Sequence, residues 1–195
     1  MNYLVKRFVP LLAAGFLMLA QQVSAGGVLL PDKSAIRFVS VKNAAVAEVH
    51  HFTGITGWIE DEGRVMVNIP LVSVETMIPV RNERMRELFF ETASFPAATI
   101  EADIDIKAVA ALANGEYTTM QVLFELNLHG QHRMLEATVN VARLGNEVHV
   151  DTVQPLVINV SSFKLVDGVE RLREVAGLKN IATAVPVTAS LVFEF

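Results

Sequence analysis

Apolar and polar residues alternate with a period of two in short segments closed by turn-forming residues, and this pattern restricts the chain to sheet. The end of the chain is the clearest case. Val185, Val187, Ala189, Leu191, Phe193 and Phe195 fall on one face against Pro186, Thr188, Ser190 and Glu194, with Val192 out of phase. Met120, Val122, Phe124, Leu126 and Leu128 repeat the pattern with Leu123 out of phase, and Leu135, Ala137, Val139 and Val141 repeat it again. Further strands are predicted over 34–41, 45–52, 54–60, 64–71, 98–106 and 147–153, with turns at Asp61-Glu62-Gly63, Ala113-Asn114-Gly115, His129-Gly130 and Leu144-Gly145-Asn146. Eight or nine short strands with one apolar face each imply an all-β sandwich or an antiparallel barrel, and closure into a barrel removes the exposed edges.

Two segments depart from this period. Over 80–91, Met85, Leu88 and Phe89 are spaced i, i+3, i+4 among charged residues, which predicts an amphipathic helix bracketed by Pro79 and Pro96. A second short helix is predicted over 168–175, with Gly177 as its stop. Both belong at the rim of the sheet.

Residues 1–25 read as an export signal: Lys6 and Arg7, an apolar run over 8–20, then Val23-Ser24-Ala25 before Gly26. Thirteen residues fall short of the ~20 that span a bilayer. The expected mature chain is therefore a single domain over 26–195, periplasmic and soluble, with no stable membrane insertion after signal removal. Loss of Lys6 and Arg7 leaves 14 basic against 21 acidic residues, a balance of −7. Nucleic-acid binding is disfavoured, because its affinity comes mainly from Lys and Arg on phosphates. The absence of cysteine excludes disulfides, thiolate metal sites, cysteine nucleophiles and a lipidated amino-terminal cysteine.

A barrel of eight strands encloses a space that side chains fill or that holds one small ligand. The predicted inward residues are Val, Ala, Ile and Leu with a few Phe, none of them charged. A hollow interior would suit an acyl or isoprenoid chain, each buried methylene contributing ~0.8 kcal/mol. The alternation alone leaves the filled and the hollow barrel both open.

The chain resembles the YceI-like family of exported, lipocalin-like proteins. The resemblance lies in Leu30-Pro31-Asp32-Lys33-Ser34-Ala35-Ile36-Arg37-Phe38, Phe52-Thr53-Gly54, Arg81-Asn82-Glu83-Arg84-Met85, Phe95-Pro96, Leu128-His129-Gly130, and Ile158-Asn159 with Phe163, in the family's order. It implies a lipocalin-like antiparallel barrel of about eight strands with one or two short rim helices. It also implies binding rather than catalysis, the ligand being a polyisoprenoid, a quinone tail or a fatty-acid-like amphiphile in an apolar tunnel. Two departures stand out. Arg81-Asn82-Glu83-Arg84-Met85 replaces the family's common Arg-Asp-x-His-Leu, and Gln131-His132-Arg133 follows His129-Gly130 where the family often has Thr and a basic residue.

The candidate ligand-binding residues are Phe38, Phe52, Trp58, Arg81, Met85, Phe89, Phe124 and His129. Arg81 or a rim histidine would meet the polar head, and the aromatic rings would line the tail. Arg84 and Arg86 are expected on a solvated helix face, in i, i+3 pairs with Glu87 and Glu83. A second reading gives His129, His132 and His149 to a metal, in a metal-dependent binder or enzyme, although zinc lacks compact ligand spacing here. A third makes the barrel a protein-interaction module without a ligand. No cofactor is predicted, no catalytic motif is present, and the chain is expected to be a monomer or a weak homodimer.

Overall fold

A computed structural model describes residues 26–195; the predicted export signal lies outside the described residues. The sheet is all antiparallel and closes on itself. Its twelve strand segments are β1 (Gly27–Leu29), β2 (Ala35–Lys42), β3 (Val46–Phe52), β4 (Thr56–Ile59), β5 (Arg64–Pro70), β6 (Val74–Glu75), β7 (Ala97–Asp103), β8 (Tyr117–Leu128), β9 (Gln131–Leu144), β10 (Glu147–Thr152), β11 (Leu156–Asn159) and β12 (Ala184–Glu194).

These segments compose eight barrel strands, because four strands are interrupted midway. β1 and β2 both pair with β12, β10 and β11 pair with its other edge, β4 and β3 pair successively with β5 and β6, and each strand then neighbours the next in sequence. The interruptions fall where turn residues occur, at Pro31–Lys33, around Gly54, at Leu71–Ser73 and before Leu156. The result is an up-and-down barrel closed by β12 against β1 and β2, the lipocalin-like architecture that the alternation and the resemblance imply. The predicted strands stand, with ends moved by a few residues.

Among the described residues three α-helices sit at the barrel's ends. At one end, α1 (Pro79–Arg84) runs directly into a π-helical turn, Met85–Phe89, in which the Phe90 N–H reaches the Met85 carbonyl at 2.9 Å. Met85 and Phe90 are buried there, and α3 (Val166–Val175) packs across the same turn. Gly168 makes this crossing possible: a Cβ at that position would lie 3.0 Å from both the Leu88 carbonyl oxygen and the Phe89 Cα.

The opposite end is closed by α2 (Ile106–Ala110), where a continuing strand was expected through residue 106. Asp105 explains the change. Its carboxylate accepts the N–H groups of Lys107 at 3.0 Å and Ala108 at 3.3 Å, an N-cap that starts a helix and turns Val109 onto Val139, Val141 and Val148. Beside it the Ile104 N–H donates to the Gly63 carbonyl at 2.9 Å.

Val192, the out-of-phase residue of β12, is buried on the outer side of the barrel. The turn after β1 is tied onto it, with the Leu30 N–H donating to its carbonyl at 2.8 Å and its own N–H donating to Ser34 Oγ at 3.0 Å. Leu123 is exposed on the outside.

Gly168→Ala should cost about 1–3 kcal/mol, the usual penalty for overpacking against atoms that cannot yield. Urea unfolding of the variant measures this, and unchanged stability would show that α3 does not depend on the close approach.

Candidate functional site: an apolar cavity with a charged mouth

The inward faces of the strands do not meet. They enclose a cavity of about 560 Å³, lined almost wholly by Val, Ile, Leu, Ala and Phe. Its volume lies within the ~300–1,000 Å³ of sites that hold small molecules. The alternation dictates the lining, since every second residue of each strand points inward. At the end closed by α2 the walls are Ile104, Val109, Met120, Val141 and Val148. At the other end Ile78 and Val80 line the cavity while remaining exposed to solvent, which marks the mouth. The hairpin between β2 and β3, α1, and the residues after α3 (Ala176, Leu178, Ile181) frame it.

Contrary to the expectation of an uncharged interior, Lys42, Glu48, Arg81 and Arg84 line the cavity near this mouth, together with Ser40, His50 and Thr76. The cause is local to two strands. In β2 and β3 the inward cross-strand pairs are Ile36 with Phe52, Phe38 with His50, and Ser40 with Glu48, with Lys42 next along β2, so one face passes from apolar to polar as it approaches the hairpin. In β3 the usual sense is reversed: Val49 faces solvent while His50 is 3% exposed.

Glu48 accepts from Lys42 at 2.6 Å and from Arg81 at 2.7 Å. The Lys42 hydrogen bond, with Arg81 and despite partial burial, holds the Glu48 carboxyl below its ordinary range. Arg81 also donates to the Thr76 carbonyl. Thr76 is held in turn by the buried Asn82, whose Oδ1 accepts from the Thr76 N–H at 2.8 Å and hydroxyl at 2.6 Å while its Nδ2 donates to Glu75 at 3.0 Å. Arg81-Asn82 thus builds one wall of the mouth.

His50 Nε2 lies 2.8 Å from Ser40 Oγ, its ring packs 5.2 Å from that of Phe38, and its Nδ1 is buried without a partner. Burial, reinforced by the charge of Arg81, lowers its pKa to about 4. The ring is neutral near pH 7. The tautomer that leaves no buried N–H unpaired has Nε2 donating to Ser40.

Of the eight candidate residues, the structure brings Phe38, Phe52, Arg81, Met85, Phe89 and Phe124 to the cavity wall. Trp58 and His129 are elsewhere. Trp58 sits on the outer face of β4 and is 44% exposed, because Gly57 and Ile59 take the buried positions of that short strand.

His129 belongs to a structural tie at the end of the β8–β9 hairpin. Its ring packs on Phe95 at 4.1 Å, and its Nε2 lies 3.1 Å from Glu91, which also accepts from Arg171 of α3 at 2.8 Å. Arg171 and then His129 keep the Glu91 carboxyl below its usual range. A Cβ on Gly130 would meet the Phe95 ring at 3.0 Å, so the ring and the turn approach closely here.

The structure separates the histidines considered for a metal. His132 pairs with Glu125 at 2.8 Å and His149 with Glu147 at 3.2 Å. His149 lies opposite Ala142, ten positions along β9 from His132, a span of about 33 Å. Among the described residues no group of three or more His, Cys, Asp or Glu side chains could hold a metal ion.

A YceI-like domain model matches residues 28–193, nearly all of the described chain. The chain belongs to the YceI-like family. Among solved structures, a polyisoprenoid-binding domain from Saccharophagus degradans is 38% identical over 88% of this chain and 98% of its own, with a TM-score of 0.85. BcnA from Burkholderia cenocepacia is 19% identical over 84% of this chain and 98% of its own, with a TM-score of 0.66, and shares the fold. No curated protein sequence matches the chain significantly. In this YceI-like protein the family fragments fall at structural junctions: the strand start at Ser34–Phe38, the mouth at Arg81-Asn82 and the tie at Phe95 and His129.

The neutral His50 makes stability depend on pH. Its native pKa lies below the unfolded value of 6.5, so the unfolded state takes up the proton first and the contribution present above pH 6.5 is lost as pH falls toward about 4. Between pH 6.5 and 4.5 the loss should be about 2 kcal/mol. His50→Gln should flatten most of that slope in urea unfolding, and an unaltered slope would assign it to other groups.

Proposed function

We propose that this protein binds a long apolar amphiphile, with the tail buried in the barrel and the polar head at the mouth beside Arg81, and that it sequesters or carries this ligand in the periplasm. The cavity is the observation that carries the reading. It is apolar along its length, closed at the α2 end and polar at the mouth, so a chain with one polar terminus fits in one orientation. Each methylene taken from water contributes ~0.8 kcal/mol, and a tail of ten or more carbons offsets the cost of association. The 38%-identical neighbour is described as a polyisoprenoid-binding domain, which supports an isoprenoid or similarly long chain. Binding, without chemistry on the ligand, is the proposed activity. Among the described residues no helix is long and apolar enough to cross a membrane.

Displacement of a fluorescent long-chain probe tests this directly. Ala102 lines the cavity, and Ala102→Phe should fill part of it and weaken binding by tenfold or more, about 1.4 kcal/mol, with cooperative thermal unfolding retained. Trp58→Ala, on the outer face, should leave affinity unchanged. Equal binding by the wild type and Ala102→Phe would place the ligand outside the barrel.

A further inference from the structure

We propose that the amphiphile held by this barrel carries an anionic head, a phosphate or a carboxylate, and that Arg84 at the mouth is the side chain that selects it. This rests on the reading of the barrel as an amphiphile binder and extends it to the chemistry of the head.

Three cations, Lys42, Arg81 and Arg84, line the cavity against one carboxylate, Glu48. The wall at the mouth therefore carries an excess of two positive charges in a chain whose net charge is −5. Lys42 and Arg81 share Glu48, at 2.6 Å and 2.7 Å, so that carboxylate is already committed.

Arg84 differs from both. A pair with Glu87 on a solvated face is the sequence expectation, yet among the described residues the Arg84 side chain makes no ion pair or hydrogen bond. The other expected pair does form, Glu83 with Arg86 at 3.3 Å. Arg84 is half-buried in the wall of the mouth, on the same short helix as Val80 and Arg81.

A guanidinium in this setting has given up part of its hydration without a compensating partner, and its planar fork matches the two oxygens of a phosphate or carboxylate. Low-dielectric surroundings strengthen such a contact relative to water. A hydroxyl head on the same tail gains none of this charge pairing. The apolar wall from Phe38 down to Val109 treats the two tails alike, so discrimination falls to the mouth.

The test uses the purified protein, stripped of co-purifying lipid, with two matched pairs: an isoprenyl phosphate and its isoprenol, and a long-chain fatty acid and its alcohol. Each is titrated by calorimetry at pH 7.5 against the wild type, Arg84→Gln, Arg84→Lys and Arg86→Gln. The expected result is that at least one anion binds about tenfold tighter than its alcohol, and that Arg84→Gln removes this difference while moving the alcohols less than twofold. Arg84→Lys should keep part of it, Arg86→Gln should keep all of it, and raising the salt concentration should shrink it. The pair with the larger difference identifies phosphate or carboxylate. Equal affinities for both members of each pair, or an equal loss for anion and alcohol in Arg84→Gln, would overturn the assignment while leaving the amphiphile reading intact. Binding of none of the four ligands would overturn both. Arg84 has no partner to lose, and thermal unfolding of the variants checks that the barrel persists.

Discussion

Everything else in this structure depends on the backbone pairing of β12 with both edges of the sheet. One side of β12 bonds to β10 and β11, the other to β1 and β2, and these ladders turn an open meander into a closed wall. Closure satisfies the edge N–H and C=O groups that an open sheet leaves available for pairing with another chain. It also obliges one face of every strand to look inward. With eight strands the enclosed space is near the size that side chains can fill, and here many inward positions carry small residues such as Ala98, Ala102, Ala137 and Ala189, so a cavity remains.

The two ends of that cavity differ because the chain treats them differently. At the α2 end the Asp105 cap turns the backbone from strand into helix and seats Val109 on three inward valines, giving an apolar floor. At the other end α1, its π-helical turn and α3 are held to the hairpins and to the segment after β6 by hydrogen bonds and ion pairs: Asn82 to Thr76, Glu91 to His129 and Arg171, Glu48 to Lys42 and Arg81. Several of these ties are partly exposed, where an individual pair adds little stability. Their consequence is positional. They fix a charged lip around an apolar bore, and that polarity along the axis gives an amphiphile one favourable direction of entry.

Much of this was legible in the residues. The long alternating runs that became β8, β9 and β12 have a buried and a solvated face, and such runs leave little freedom in register or orientation. The aromatic lining at Phe38 and Phe124 followed from the same alternation, and that at Phe52 from its size and aromatic ring. What was not legible came from three sources. Short segments such as β1, β6 and β11 contain too few residues to show a period. At Asp105 a capping side chain overrode the strand pattern that continued through Ile106. In β3 the inward residues Glu48 and His50 are polar, so a rule that assigns polar residues to solvent inverts the face. The available signal was the pairing of β2 and β3 itself, since Ser40 and Lys42 continue the inward face of Ile36 and Phe38 and bring Glu48 and His50 in with them. Trp58 as a lining residue and His129 as a contact for the head lie away from the cavity for the complementary reason: size and ring chemistry do not report which way a side chain points.

The central claim is that the hollow of the barrel receives an amphiphile tail first, with the head remaining at the Arg84 end. Spin-labelled fatty acids carrying the nitroxide either near the carboxylate or near the methyl terminus test it, read by paramagnetic broadening of assigned methyl resonances. The account predicts that the methyl-end label broadens Val109, Val141 and Val148 at the α2 end, and that the carboxylate-end label broadens Ile78 and Val80 at the mouth. Broadening in the reverse order would contradict the orientation, and broadening confined to outward methyls such as those of Val49 and Val157 would contradict the claim itself.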